Sequence, residues 1–187
     1  MLRYDLPGGR YLRPFEESDA EQLARVVAAN RAYLAEWLPW AETADEETVL
    51  GFIRRSRQQI ADNDGFQAAI VEGDAIIGGV GFHGVDQNHR STSIGYWLAK
   101  DQQGRGIMTE AVKALTGHAF DVWKLNRVEI RVAIGNQRSA AIPRRLGFVE
   151  EGVLRQAERH GDTFKDVAVY SMLAQDWTGD ATKRNSP

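Results

Sequence analysis

Apolar and polar positions along this chain change period several times, and each change marks an element. Residues 10–15 read as a short strand closed by Pro14. Ser18 is a capping residue type, and Leu23, Val26 and Val27 behind it recur at helical spacing, so a helix is predicted over 20–30. A second helix is announced by Thr43 with Glu46 three residues on, the spacing of a capping box, and runs to about Asp62. Val49, Leu50, Phe52, Ile53 and Ile60 form its apolar face, while Arg54, Arg55, Arg57 and Gln58 face away. Between the helices EWLPW (36–40) reads as a turn, because Pro39 stops a helix. Trp37 and Trp40 beside that break either plug the core or line a substrate cleft, where aromatic surface has high value.

After Gly65 the period shortens. FQAAIVEG, DAIIGGVGFHG and STSIGYWLAK read as three strands of an antiparallel meander, with EGDA as a tight turn between the first two. QGRGIMTEAVKALTGHAFDVW then returns to helical spacing through Met108, Ala111, Val112, Leu115 and Ala119. Residues 127–134, RVEIRVAI, alternate as a strand does, and 139–146 form a short helix stopped by Gly147. Strands near 148–157 and 164–173 close the pattern around a hairpin at His160, Gly161 and Asp162. A helix between two strands implies locally parallel pairing, whereas the meander and the last hairpin are antiparallel, so the predicted sheet is mixed and the class α/β (α+β). One domain is expected over 1–178, with a small, polar, disordered tail over 179–187.

Composition narrows the function. A chain of 187 residues buries a core without staples. Its formal net charge of −3 argues against a general nucleic-acid binder. With no cysteine there is no disulfide, no thiolate metal site and no acyl-cysteine intermediate. His83, His89, His118 and His160 lack ligand spacing, so no metal is expected. The N-terminal segment lacks a signal-peptide apolar run and no stretch suits a membrane span, so a cytoplasmic protein without a membrane partner is expected.

The chemistry concentrates where the strand STSIGYWLAK turns through QGRGIM into a helix. A glycine-bearing turn at a helix N-terminus presents unpaired amides and the positive end of the helix dipole, which together suit an anion. Gly104 and Gly106 permit close approach, and Arg105 either adds charge or is solvated. A dinucleotide fingerprint is disfavoured: Thr109 stands where the third glycine would be, and Glu129, near the spacing of the ribose-binding acid, lies inside a strand. The glycines alone leave the ligand open.

Together with the later run NQRSAAIPRRLGF, this loop resembles the GNAT N-acetyltransferase superfamily, whose cofactor motif is Q/R-x-x-G-x-G/A. Met108 departs from it at the last position. The variant GRGIMTEA, with EWLPW and LGFVEEG, is similar to the RimJ/RimL-type branch, which acetylates protein N-termini. The resemblance covers residues 10–177. It implies the GNAT fold, a mixed and mostly antiparallel sheet splayed between its fourth and fifth strands and flanked by helices, acting as a homodimer on acetyl-CoA and an amine.

The same resemblance implies site roles. Gln103, Gly104, Arg105 and Gly106, with Ile107, Met108 and Thr109, would hold the pyrophosphate of acetyl-CoA, and Asn136 its pantetheine. An amide near Leu98 would be the oxyanion donor. Glu158 in QAERHG would be the base, with Glu150 and Glu151 as alternatives. The family's usual tyrosine acid is missing from the stretch after Asn136, and Ser139 stands there as acid or only as helix cap. Pro143 is placed in that helix's first turn. His83 borders the cleft as a structural histidine or a participant; Tyr96, Trp97 and Trp123 read as core. Without cysteine, direct transfer in a ternary complex is favoured over a covalent enzyme intermediate. The acceptor is a protein N-terminus or a small amine such as a polyamine, amino acid or antibiotic; a non-catalytic acyl-CoA-binding module is the rival class.

Overall fold

The structure, a computed structural model, describes residues 2–179. Strands β1 (Tyr4–Leu6) and β2 (Arg10–Pro14) are followed by helices α1 (Ala20–Ala35) and α2 (Glu46–Ala61). The meander follows as β3 (Gln67–Glu72), β4 (Ala75–Asp86) and β5 (Ser91–Leu98). Then come α3 (Ile107–Gly117), β6 (Arg127–Ala133), α4 (Gln137–Leu146) and the hairpin of β7 (Val149–His160) with β8 (Thr163–Leu173). The strands lie in the order β1-β2-β3-β4-β5-β6-β8-β7. All pairs are antiparallel except β5 with β6.

The strand β1 was not anticipated, so the predicted fourth and fifth strands are β5 and β6. The expected tail lies, apart from Gly179, outside the described residues. Helix starts also differ from the sequence reading. Ser18 sits inside a one-turn 3₁₀ segment, and the reciprocal box before α1 joins Glu16 with Asp19. For α2 the box is Asp45 with Thr48, two residues beyond Thr43: Thr48 donates its amide to Asp45 at 2.8 Å. EWLPW is a turn whose Pro39–Ala41 portion is 3₁₀.

Helices cover both faces of the sheet, which is why β3 is apolar at successive positions. Ile70 joins the core under α3 with Val112, Leu115, Ile130 and Tyr170, whereas its neighbours Ala69 and Val71 join the core under α1 and α2 with Leu23, Val27 and Ile53. Each large side chain buried there contributes roughly 1.5–3 kcal/mol of transfer free energy. Among the described residues no helix is long and apolar enough to cross a membrane.

The feature that positions a site is the partial union of β5 and β6. They pair only from Ser91↔Arg127 to Ser93↔Glu129. Beyond that point β6 stays with β8 as far as Ala133↔Val167, while β5 stays with β4 as far as Gly78↔Leu98. The sheet opens into a V.

Candidate active site

Backbone alternation decides what the V presents. Ala99 donates its amide to the Ile77 carbonyl on β4 at 2.9 Å. Amides alternate sides along a strand, so those of Leu98 and Tyr96 point away from β4, into the gap that β6 has left. Those groups form a free sheet edge of the kind an extended ligand pairs with.

At the end of β5 the chain makes a 3₁₀ turn at Lys100–Gln102 and enters α3 through Gly104 and Gly106, each with φ of +74°. A side chain is strained at that φ, and at both glycines the space where a Cβ would stand is empty, so the loop is open above its backbone. Gly106 is the N-cap and supplies no side chain to the first-turn amides. Ile107 and Met108 turn their side chains into the core under α3. That explains the tolerance of methionine where the superfamily motif has Gly or Ala: Met108 contributes its amide to the loop and its thioether to the interior. The residues present fit a pyrophosphate.

Side chains brace the loop from three elements. Arg138 of α4 donates to Gln103 Oε1 at 2.7 Å, and Gln103 donates to the Tyr33 hydroxyl of α1. Arg145 of α4 donates to Thr109 Oγ1 at 2.7 Å. Arg105 is not simply solvated: it pairs with Glu72 of β3 at 2.8 Å, which also takes Arg10.

Across the gap, α4 starts at Asn136, whose Oδ1 accepts the Ser139 amide at 3.1 Å. Asn136 is thus the cap, and the capping alternative for Ser139 fails; Ser139 is the third residue of the helix, half-buried, with its hydroxyl 3.1 Å from the Tyr96 hydroxyl of β5. Pro143 is not in the first turn but in the helix interior. Tyr96 is therefore more than core. Burial raises its pKa far above the ordinary phenol value, so it stays protonated.

Glu158, His83, Trp37 and Trp40 also stand at the V. Glu158 follows a bulge in β7 between Leu154 and Glu158 and lies 3.3 Å from His160 Nε2. Trp40 packs edge-on to Trp97, ring centroids 6.3 Å apart, and Lys165 lies 4.3 Å over Trp37. His83 occupies the space above Gly95, where a Cβ would come within 2.0 Å of its Nε2. Its ring is open to the cleft yet walled in, and burial followed by the Arg131 charge holds its pKa below the ordinary histidine value. Among the described residues no protein group hydrogen-bonds the His83 ring, which is exposed at the cleft. The aromatic Trp123 does belong to the core, packed against Phe82 at 4.6 Å.

One continuous cleft of ≈ 1740 Å³ joins all of these places: the α3 loop, Leu98, Asn136, Ser139, Glu158, His83, Trp37 and Trp40 border it. That volume exceeds the roughly 300–1,000 Å³ of a single small-ligand pocket, leaving room for a long ligand and a second one beside it. Glu150 and Glu151 do not border it. Arg144 holds Glu150 as a carboxylate, and Arg127 with Ser171 holds the Glu151 pKa at about 2, too low for a base at neutral pH. Sequence reasoning missed Tyr33, Tyr96, Arg138 and Arg145. Only the arginines left a signal, the basic cluster in NQRSAAIPRR.

A sheet opened between parallel strands, with a glycine loop at a helix N-terminus on one arm, defines an acyl-group transferase. Residues 10–149 match the acetyltransferase (GNAT) domain family, and the chain belongs to it. It is an acetyltransferase, and acetyl-CoA is the donor this family uses. Over 174 residues it is 38% identical to the "Putative ribosomal N-acetyltransferase YdaF" of Bacillus subtilis (strain 168), covering 90% of this chain and 93% of that protein. It is 29% identical to the ribosomal-protein-serine acetyltransferase of Escherichia coli (strain K12), covering 87% and 91%. The solved structure of RimL, a ribosomal L7/L12 alpha-N-protein acetyltransferase in complex with coenzyme A, superposes with a TM-score of 0.88 at 26% identity, covering 96% of this chain and 100% of that one.

Proposed function

We propose that this chain transfers acetyl from acetyl-CoA directly to the α-amino group of a protein N-terminus. The observation that carries this reading is the single cleft, which runs from the open α3 loop past the free edge of β5 to Glu158 and the tryptophan pair. The names of the ribosomal-protein acetyltransferase relatives support the acceptor class. When bound, acetyl-CoA supplies an activated thioester.

The amides of 103–109 hold its pyrophosphate, with Gly104 and Gly106 giving the approach and the α3 dipole adding positive potential. The β5 edge and Asn136 hold the pantetheine. The Leu98 amide donates to the oxygen on which negative charge develops, a role whose loss typically costs about 10²–10³ in rate. Glu158 takes the proton from the amine. An α-amino group has a pKa of ~7.7–8.0 and is partly neutral near pH 7, so one carboxylate suffices; a lysine at ~10.4 would need far more. Ser139 donates to the leaving sulfur. A homodimer belongs to the same proposal, supported by Val149, Val153, Leu154 and Phe164, exposed apolar residues on the terminal hairpin.

The test is release of free coenzyme A from acetyl-CoA against a panel of peptides with free N-termini, polyamines, amino acids and aminoglycosides. Release with N-terminal serine or alanine peptides, abolished by blocking the terminus, is expected. Release with only the small amines would move the acceptor to that class, and release with none above background hydrolysis would leave an acyl-CoA-binding module.

A further inference from the structure

We infer that Tyr96, acting with Pro143, is the positioning residue for Ser139; this rests on the reading of Ser139 as the proton donor. In an α-helix the residue at 143 would donate its amide to the carbonyl of Ser139, four residues before it. Pro143 has no amide hydrogen, so that carbonyl, on a half-buried turn facing the cleft, loses its helix bond. The Tyr96 hydroxyl fills the vacancy: it donates to the Ser139 carbonyl at 3.1 Å.

A phenol has one proton. With that proton on the carbonyl, Tyr96 must accept from Ser139, whose Oγ lies 3.1 Å away; the Ser139 O–H rests on the phenol and swings about the Cβ–Oγ bond to the sulfur as charge develops there, Oγ itself staying in place. Tyr96 therefore binds both ends of the same residue, backbone and side chain, and fixes the rotamer of Ser139. Without the phenol the Ser139 hydroxyl loses its partner on β5, and its rotamer is no longer held toward the cleft. The proline in the helix creates the acceptor that draws Tyr96 across from β5. Burial keeps the phenol protonated, so the anchor persists across the working pH range.

A double substitution separates positioning from structure. Tyr96→Phe removes the anchor and also leaves the Ser139 carbonyl unpaired; adding Pro143→Ala returns an amide hydrogen to that carbonyl. Tyr96→Phe is expected to lower both the melting temperature and kcat, the latter by roughly tenfold, with the calorimetric Kd for acetyl-CoA within about twofold of the parent. In Tyr96→Phe/Pro143→Ala the melting temperature recovers while kcat, measured with the peptide that responds best in the panel, stays low. Recovery of kcat together with the melting temperature would reduce Tyr96 to a structural prop and overturn the inference. Should Tyr96→Phe alone not fold, the double variant still decides.

Ser139→Ala distinguishes the two levels. The parent reading fails, and the inference with it, if Ser139→Ala turns over normally. A slow Ser139→Ala with a normal Tyr96→Phe sinks the inference alone. A slow Ser139→Ala made no slower by Tyr96→Phe is the expected result, because the two act as one unit.

Discussion

At the scale of single residues, Glu158 is separated from the other acidic residues of its strand by what it touches. Glu150 and Glu151 are held by arginines outside the cleft, whereas Glu158 borders the cleft with a histidine as its neighbour. Replacing a general base costs about 10²–10⁴ in rate, and a partly neutral amine puts Glu158→Gln at the low end, about 10² near pH 7. The deficit should narrow as pH rises through the amine pKa of ~7.7–8.0, since more acceptor then arrives without its proton. Parallel pH profiles of kcat/KM for the two proteins check this. A deficit equal at every pH would assign Glu158 to binding the acceptor, and no deficit would leave the proton to water.

At the scale of elements, the turn into α3 makes a separable claim. Gly106 has φ of +74° with open space where a Cβ would stand. Gly106→Ala meets no neighbour, so its structural cost is the left-handed backbone alone, about 1–2 kcal/mol, or a few degrees of melting temperature. Its functional cost is the methyl group standing over the amides. A rise of about tenfold in KM for acetyl-CoA is expected, with kcat nearly unchanged, matching roughly 1.4 kcal/mol of lost phosphate contact. An unchanged KM would show that the glycine serves the turn only. The sequence made this element legible because strand, turn and helix adjoin along the chain. Other parts were hidden for physical reasons. Strand β1 has three residues, too few to show a period. The caps of α1 and α2 moved by one or two residues because several capping residue types crowd each helix start and only the register chooses between them. Tyr96 looked like core because its partner lies 43 residues away, and Pro143 was misplaced because a proline interior to a helix requires that remote partner.

At the scale of the whole molecule, the charge of the chain and the charge of its cleft have opposite signs. The protein carries −3 overall, yet Lys100, Arg105, Arg138 and Arg145 border the cleft around the α3 loop and outnumber its acidic neighbour there, Glu110. Neutral partners brace two of these: Arg138 bonds Gln103 and Arg145 bonds Thr109, so both keep their positive charge. Arg105 is offset by Glu72, which also serves Arg10, so that trio remains positive by one. A cationic mouth on an acidic body attracts an anionic donor and does not favour a polycationic acceptor, which sets a polyamine substrate against the local field. Salt tests this. The screening length falls from ~10 Å at 0.1 M to ~3 Å at 1 M, so cleft charges acting through solvent weaken across that range. Steady-state kinetics across about the same tenfold range of sodium chloride should show KM for acetyl-CoA rising severalfold. KM for a neutral N-terminal peptide and kcat should change little, because the amides, Leu98, Ser139 and Tyr96 act at contact distance. A KM for acetyl-CoA indifferent to salt would mean that the arginines brace the loop and contribute no field to the ligand.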